Sequence, residues 1–261
     1  PQRHVPFVFC SFPICQWPCP PHGLARYRRM KAGANAAARR RSGPQTLPEV
    51  TISEDGDVRF LHLGTEWIQG SMLIDAPFVI EPDYVQRMMA WLLFVEPDSV
   101  PKRRARQLGL GSAALTKFCF KACRMDTTAV EITPQVLAAC RVWFKLPADG
   151  PRLRVLLADA AEEVRNPEHT GRIDSLQVDL YDHEAAAPVL DSPDFYADCR
   201  SVLTDDGVMT VNLFGRDASY ERSLQSIAAA FGDDALWAFK PTREGNTIVL
   251  AQRTPERPTR M

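Results

Sequence analysis

Beyond Pro101 the chain repeats one rhythm, a short apolar run followed by a stretch of helical periodicity, and few architectures accept that rhythm. The runs are ARQLGLG, TTAVEI, LRVLLADA, IDSLQVDLY, VMTVNLFG and TIVLAQR; helical stretches lie between the early ones, the first through Lys121 and the second from Pro134 to Lys145. Strands joined through crossover helices pair in parallel, and the helices cover both faces of the sheet. The expected fold is therefore α/β, a mostly parallel sheet with helices on both faces. The last segment, ALWAFKPTREGNTIVLAQR, reads instead as an antiparallel pair closing the sheet edge.

Upstream of this region the pattern changes. From Val50 to Gly70 come VTISEDG, DVRFLHLG and EWIQG, with Asp55-Gly56 as a hairpin turn, so 47–80 reads as a small antiparallel β-unit. Glu81-Pro82-Asp83 then opens one apolar helical stretch, YVQRMMAWLLFV, whose spacing turns Tyr84, Met88, Trp91 and Leu92 to one side. That stripe is read as core packing. Residues 81–253 form the expected main domain and 254–261 a flexible tail. Residues 1–46 combine early Pro and Cys with Arg26, Arg28, Arg29, Lys31 and the Arg39 to Arg41 run, almost without acid. Such a segment buries little apolar surface, and a disordered basic tail is expected, with Met30 as an alternative start and an organellar targeting segment as the competing reading.

Composition narrows the partners. A formal net charge of -1 over 261 residues offers no excess of Lys and Arg for a phosphate backbone, so nucleic acid is not an expected partner. No run approaches the roughly 20 apolar residues of a membrane span, because the stretch near Met88 to Val95 is broken by Glu96 and Pro97. A cytoplasmic protein without a membrane association is expected. The seven cysteines include a loose Cys10, Cys15, Cys19 group, but no matching His or Cys set follows it; reduced thiols and no metal are the preferred reading.

Four features fall at successive strand ends, where open α/β sheets bind ligands. The glycine turn Gly109-Leu110-Gly111-Ser112 ends one strand and opens a helix, a geometry that brings backbone N–H groups to a ligand, although such turns also occur without any nucleotide. Glu131, about twenty residues later at the next strand end, suits two ribose hydroxyls; capping the helix at Thr133-Pro134 is the alternative. Asp159-Ala160 ends the third strand, where the carboxylate could meet an adenine amino group or cap a helix. Finally Asp174, Asp179 and Asp182 lie in IDSLQVDLYDHE, with Asp179 and Asp182 just past the fourth strand. Paired carboxylates there make a niche for a cationic amine and can take its proton. A polar turn accounts for the same spacing, and His183 is read as exposed.

From about Val50 to Arg253 these pieces together resemble the spermidine synthase (polyamine aminopropyltransferase) family: EWIQGSM with PDYVQRMMAWLLF, LGLGSAAL, AVEITPQVL, LLADA, IDSLQVDLYD and FYADCRSVLTDDGVMTVNLFG. The resemblance implies a small N-terminal β-domain before a Rossmann-like, methyltransferase-type domain. It implies that Gln69, Gly109, Gly111, Glu131, Asp159 and Ala160 contact the nucleoside, that Asp179 is catalytic, and that Tyr181 and Asp182 bind the amine. The implied donor is decarboxylated S-adenosylmethionine and the implied partner a small-molecule amine, with no metal and a possible homodimer. Three departures accompany it. Ser112 stands where the family's turn carries an Asp that greets the donor's terminal amine, SMLIDAP replaces a Tyr-plus-acid segment after the Gln, and His183 replaces a Pro. Methyl transfer from intact S-adenosylmethionine, or nucleoside binding without catalysis, are the alternative readings.

Overall fold

The structure, a computed structural model, describes residues 25–26, 49–180, 188–214 and 218–255. Its N-terminal unit is a three-stranded antiparallel sheet of β2 (Val50–Asp55), β3 (Val58–Leu63) and β4 (Ile68–Leu73), in that order. The Asp55-Gly56 hairpin is present as expected, with Asp55 opposite Val58. Leu61, Leu63 and Met72 from this sheet bury against Leu110, Ala113 and residues of the following helices, which seats the small sheet beside the glycine turn.

The larger sheet contains β5 (Arg104–Leu108), β6 (Asp126–Glu131), β7 (Leu153–Leu157), β8 (Ile173–Val178), β9 (Leu203–Phe214), β10 (Leu236–Ala238) and β11 (Asn246–Gln252). Its strand order, β7-β6-β5-β8-β9-β11-β10, is parallel from β7 to β9 and antiparallel from β9 to β10. The closing antiparallel pair thus follows β9 on the side of the sheet where the sequence placed it. One strand was not foreseen: Ala25–Arg26 (β1), within the segment expected to be a disordered tail, pairs with Trp237 and Ala238. The rest of 1–46 lies outside the described residues, as do Cys10, Cys15 and Cys19.

Strand alternation decides which face each residue serves. On β9 and β11, Met209, Val211, Leu213, Val249 and Ala251 bury on one side with α4 (Ala160–Arg165), α5 (Pro193–Val202) and α6 (Ala218–Phe231). Val208, Ile248 and Leu250 bury on the other, with α1 (Asp83–Met88) and α2 (Ala114–Lys121). The helix α3 (Pro134–Val142) covers the β6 and β7 end of that second face.

Two helix expectations are corrected. The stretch from Tyr84 is not one helix, because α1 ends at Met88 and Met89–Phe94 continues as a 3₁₀ helix. The Met88 carbonyl accepts the Thr210 hydroxyl of β9 at 2.9 Å, and the Met89 sulfur accepts the Gln177 amide at 3.0 Å, so the sheet takes over groups at the junction. The second crossover helix stops at Val142 rather than Lys145, whose φ of +56° is left-handed. Among the described residues no helix is long and apolar enough to cross a membrane, and no group of His, Cys, Asp or Glu could hold a metal ion.

Buried titratable groups give the fold a distinctive pH response. Lys117 on α2 is 1% exposed and donates to the Phe144 carbonyl at 2.8 Å; burial lowers its pKa from 10.5 to about 8 despite the nearby Cys140. Unfolded chains therefore hold this proton to higher pH than folded ones, so this lysine makes stability rise between pH 8 and 10.5. The buried thiols act in the opposite sense. Burial raises Cys119, Cys123, Cys140 and Cys199 above the ordinary 9.0, Cys123 to about 12, so the unfolded thiols ionise first and stability falls above pH 9. Each group contributes about 1.4 kcal/mol per pH unit across its window. Four thiols outweigh one lysine, and urea melts are expected to show greatest stability near pH 9 with a steep loss beyond it. In Lys117→Met the rise above pH 8 should vanish while the alkaline loss remains.

Candidate functional site

The tips of the parallel strands are laced together beyond their ends. Gly109 N–H donates to the Val130 carbonyl at 2.9 Å, Asp179 N–H to Leu108 at 2.9 Å, and Ala158 N–H to Glu131 at 3.1 Å. These bonds align residues 109, 131, 158 and 179 along one edge of the sheet, with neighbouring strands about 4.8 Å apart. The crossovers from β5 go one way to β6, while β8 lies on its other flank, so Gly109 and Asp179 sit where the strand order reverses. That crevice is where open α/β sheets take their ligands.

The glycine turn has the conformation that the sequence implied. Gly109 and Gly111 have φ of +91° and +51°, in the region where a side chain is strained. A Cβ on Gly109 would stand 2.1 Å from the Asp179 carbonyl oxygen, so the two strand tips approach as closely as they do only because this residue has no side chain. The Gln69 carbonyl lies 3.1 Å from where a Cβ on Gly111 would be, which brings β4 to the turn. Ser112 is buried and donates its hydroxyl to the Ser71 carbonyl at 2.9 Å. The Ser71 hydroxyl in turn donates to the Glu81 carboxylate.

Glu131 is buried at the tip of β6. One carboxylate oxygen accepts the Leu110 N–H at 3.1 Å and the other accepts the Thr133 N–H at 2.8 Å, so it fastens the glycine turn and the start of α3 at once. Burial pushes its carboxyl above the usual range, while these backbone bonds pull it down. The helix-capping alternative thus describes part of what Glu131 does. Asp159 is exposed at the tip of β7 and caps α4, its Oδ1 accepting the Ala161 and Glu162 N–H groups at 2.7 and 3.1 Å. Ala160 is the first residue of α4 and packs on the core beneath. Two large apolar side chains that the sequence did not single out, Ile132 and Leu157, are 56% and 52% exposed beside these acids.

Asp179 is the best-defined polar group of the edge. Its Oδ1 accepts the Asn212 amide N–H of β9 at 2.9 Å, and the Tyr84 hydroxyl of α1 donates to the same carboxylate. Burial raises its pKa above the usual carboxylate range, partly countered by the Asn212 and Tyr84 hydrogen bonds. Tyr84 therefore does more than pack in the core: its ring joins the cluster under α1 while its hydroxyl serves the site. A tyrosine among Met and Trp neighbours, three residues after Glu81, was the available signal, since a Tyr hydroxyl placed inside needs a partner. Asn212 was also missed; a lone Asn inside the apolar run VMTVNLFG marks a strand whose tip carries chemistry.

Asp174 does not belong to this group. It lies at the opposite end of β8, where it accepts the Arg104 N–H at 2.7 Å and pairs with Arg103 at 3.8 Å. Tyr181, Asp182 and His183, the remaining expectations for the amine side, lie outside the described residues.

No family model matches the chain. It is 35% identical over 221 residues to the polyamine aminopropyltransferase of Neisseria meningitidis serogroup A, covering 84% of this chain and 81% of that protein. It is 34% identical over 218 residues to that of Chromobacterium violaceum, covering 82% and 81%. Among solved structures, a probable spermidine synthase from Corynebacterium glutamicum superposes with a TM-score of 0.68 at 16% identity, over 78% of this chain and 77% of the other. Identity above one third runs across four fifths of both chains. This chain belongs to the polyamine aminopropyltransferase family.

Proposed function

We propose that the protein transfers an aminopropyl group from decarboxylated S-adenosylmethionine to a small amine, with Asp179 as the general base. The observation that carries the reading is the Asp179 carboxylate at the reversal of strand order, gripped by Asn212 and Tyr84 on a residue whose backbone carbonyl lies against the glycine turn. Glu131 and Asp159, one and two strands from the turn, provide acids for ribose and adenine, and Gln69 meets the nucleoside from β4. Ile132 and Leu157 supply apolar surface for the base.

In the step itself the acceptor nitrogen attacks the carbon next to the sulfonium. A C–N bond forms as the C–S bond breaks, the sulfur keeps the electron pair as a neutral thioether, and the amine proton passes to the Asp179 carboxylate. A carboxyl raised by burial holds a proton better than an ordinary Asp, which suits a base that must take one from an amine. Positioning both reactants at attack distance supplies most of the acceleration. Tyr181 and Asp182 complete the proposal as amine ligands. The sulfonium is already a good leaving group, so the reading calls for no metal.

The same proposal places the protein in the cytoplasm, supported by four buried free thiols among the described residues, and takes it as a homodimer. Nucleic acid is not a partner in this reading, in keeping with a net charge of -1. Ser112 at the turn favours one rival, methyl transfer from intact S-adenosylmethionine. Titration calorimetry separates the two: the decarboxylated donor is expected to bind at least tenfold more tightly, and tighter binding of the carboxylated form would make methyl transfer the better reading.

A further inference from the structure

We propose that Asn246 is a positioning residue for the reaction, holding the Asn212 amide in the one orientation that presents its NH₂ group, and not its oxygen, to Asp179. The inference rests on the reading of Asp179 as the base. A primary amide has nearly the same shape when turned by 180°, so burial alone does not choose between its two orientations. Asn212 is 2% exposed, and bulk water has little access to arbitrate. The ionised Asp179 carboxylate, which only accepts, takes the Asn212 NH₂ at 2.9 Å, and Asn246 at the start of β11 backs that orientation from the other side, its side-chain NH₂ donating to the Asn212 Oδ1 at 3.1 Å. Turned over, Asn212 would set its oxygen against the carboxylate and its NH₂ against another NH₂.

Asn246 is itself fixed from behind. Its backbone N–H donates to the Thr242 hydroxyl at 3.1 Å and its backbone carbonyl accepts the Thr242 N–H at 2.7 Å, so the turn between β10 and β11 holds the backbone from which the Asn246 side chain reaches Asn212. Among the described residues, the Asp179 carboxylate meets the Tyr84 hydroxyl from α1 and the Asn212 amide from β9, while its backbone meets Leu108 at the end of β5 and Gly109 just beyond it. Glu131 on β6 is turned onto the Leu110 and Thr133 N–H groups, and no charged side chain of these elements is among the causes that shift Asp179. The Asn212 bond stabilises the ionised carboxylate, so loosening it makes the base harder to ionise.

The test is the pH dependence of kcat/KM in the full chain carrying Asn246→Leu, a substitution of similar volume without a donor. The acidic limb of the profile is expected to move up by about 0.5 to 1 pH unit, the size of losing part of a hydrogen bond to a charged group, with the alkaline plateau within about threefold of the parent. A purely structural role would lower the plateau or the melting temperature and leave the limb in place, and that result overturns the proposal. If Asn246→Leu does not fold, Asn246→Ala decides by the same criterion, read by carbon-13 titration of the Asp179 carboxyl. Failure of the underlying reading looks different: Asp179→Asn would keep its activity in the parent background, whatever Asn246 does.

Discussion

Asp179→Asn is expected to lower turnover by about 10²- to 10⁴-fold, the usual size of a general-base contribution, without loss of stability. The amide oxygen of the new side chain can still accept from Asn212, and its NH₂ can donate to the Tyr84 oxygen once that hydroxyl rotates. Meanwhile the burden of keeping a charge in a half-buried position disappears. A carboxyl whose folded pKa is raised adds stability that is present below the unfolded pKa and lost as pH rises through the folded value. The parent therefore carries this cost at neutral pH, and the Asn variant should melt at the same temperature or higher there, with the advantage gone below about pH 4. Steady-state kinetics and thermal melts on one preparation check both halves. Near-normal turnover would remove Asp179 from the mechanism.

The second large effect is structural in origin. Gly109→Ala would put a methyl 2.1 Å from the Asp179 carbonyl oxygen, a backbone atom that the β5 and β8 pairing holds in place. Neither side can give way cheaply, because Asp179 N–H is bonded to Leu108 and Gly109 N–H to Val130. A loss of about 3 kcal/mol or more is expected, together with a displaced Asp179 and hence lost activity. Gly171→Ala is the matched control, since that glycine also has a positive φ, +64°, but a Cβ there meets nothing within 4 Å. It should cost only the roughly 1–2 kcal/mol of a left-handed alanine. Denaturant melts of the two variants separate the contact from the backbone conformation, and equal losses would show that the approach of the strand tips is not what demands a glycine at 109.

What could be read from the residues follows from range. The parallel strands and their covering helices were legible because alternation and helical period are local signals, and the hairpin at Asp55-Gly56 because its turn chemistry is local too. The switch to a 3₁₀ helix after Met88 was not, since it depends on Thr210 and Gln177, 122 and 88 residues away from their partners. Glu131 and Asp159 were found at their strand ends, but each turned out to share its carboxylate with backbone N–H groups, an arrangement that spacing does not distinguish from a ligand contact. Tyr84 was misread because half of it behaves as the stripe suggested; only the fold shows where its hydroxyl goes. Asp174 illustrates the reverse, for five steps of extended chain carry it from Asp179 to the wrong end of β8, about 16 Å away.

The most direct measurement is chemical. The purified 261-residue chain, incubated with decarboxylated S-adenosylmethionine and a panel of di- and polyamines, should release methylthioadenosine only when an amine is present, in step with an amine product heavier by one aminopropyl group. A protein that binds the donor by calorimetry yet releases no methylthioadenosine with any amine would contradict the account.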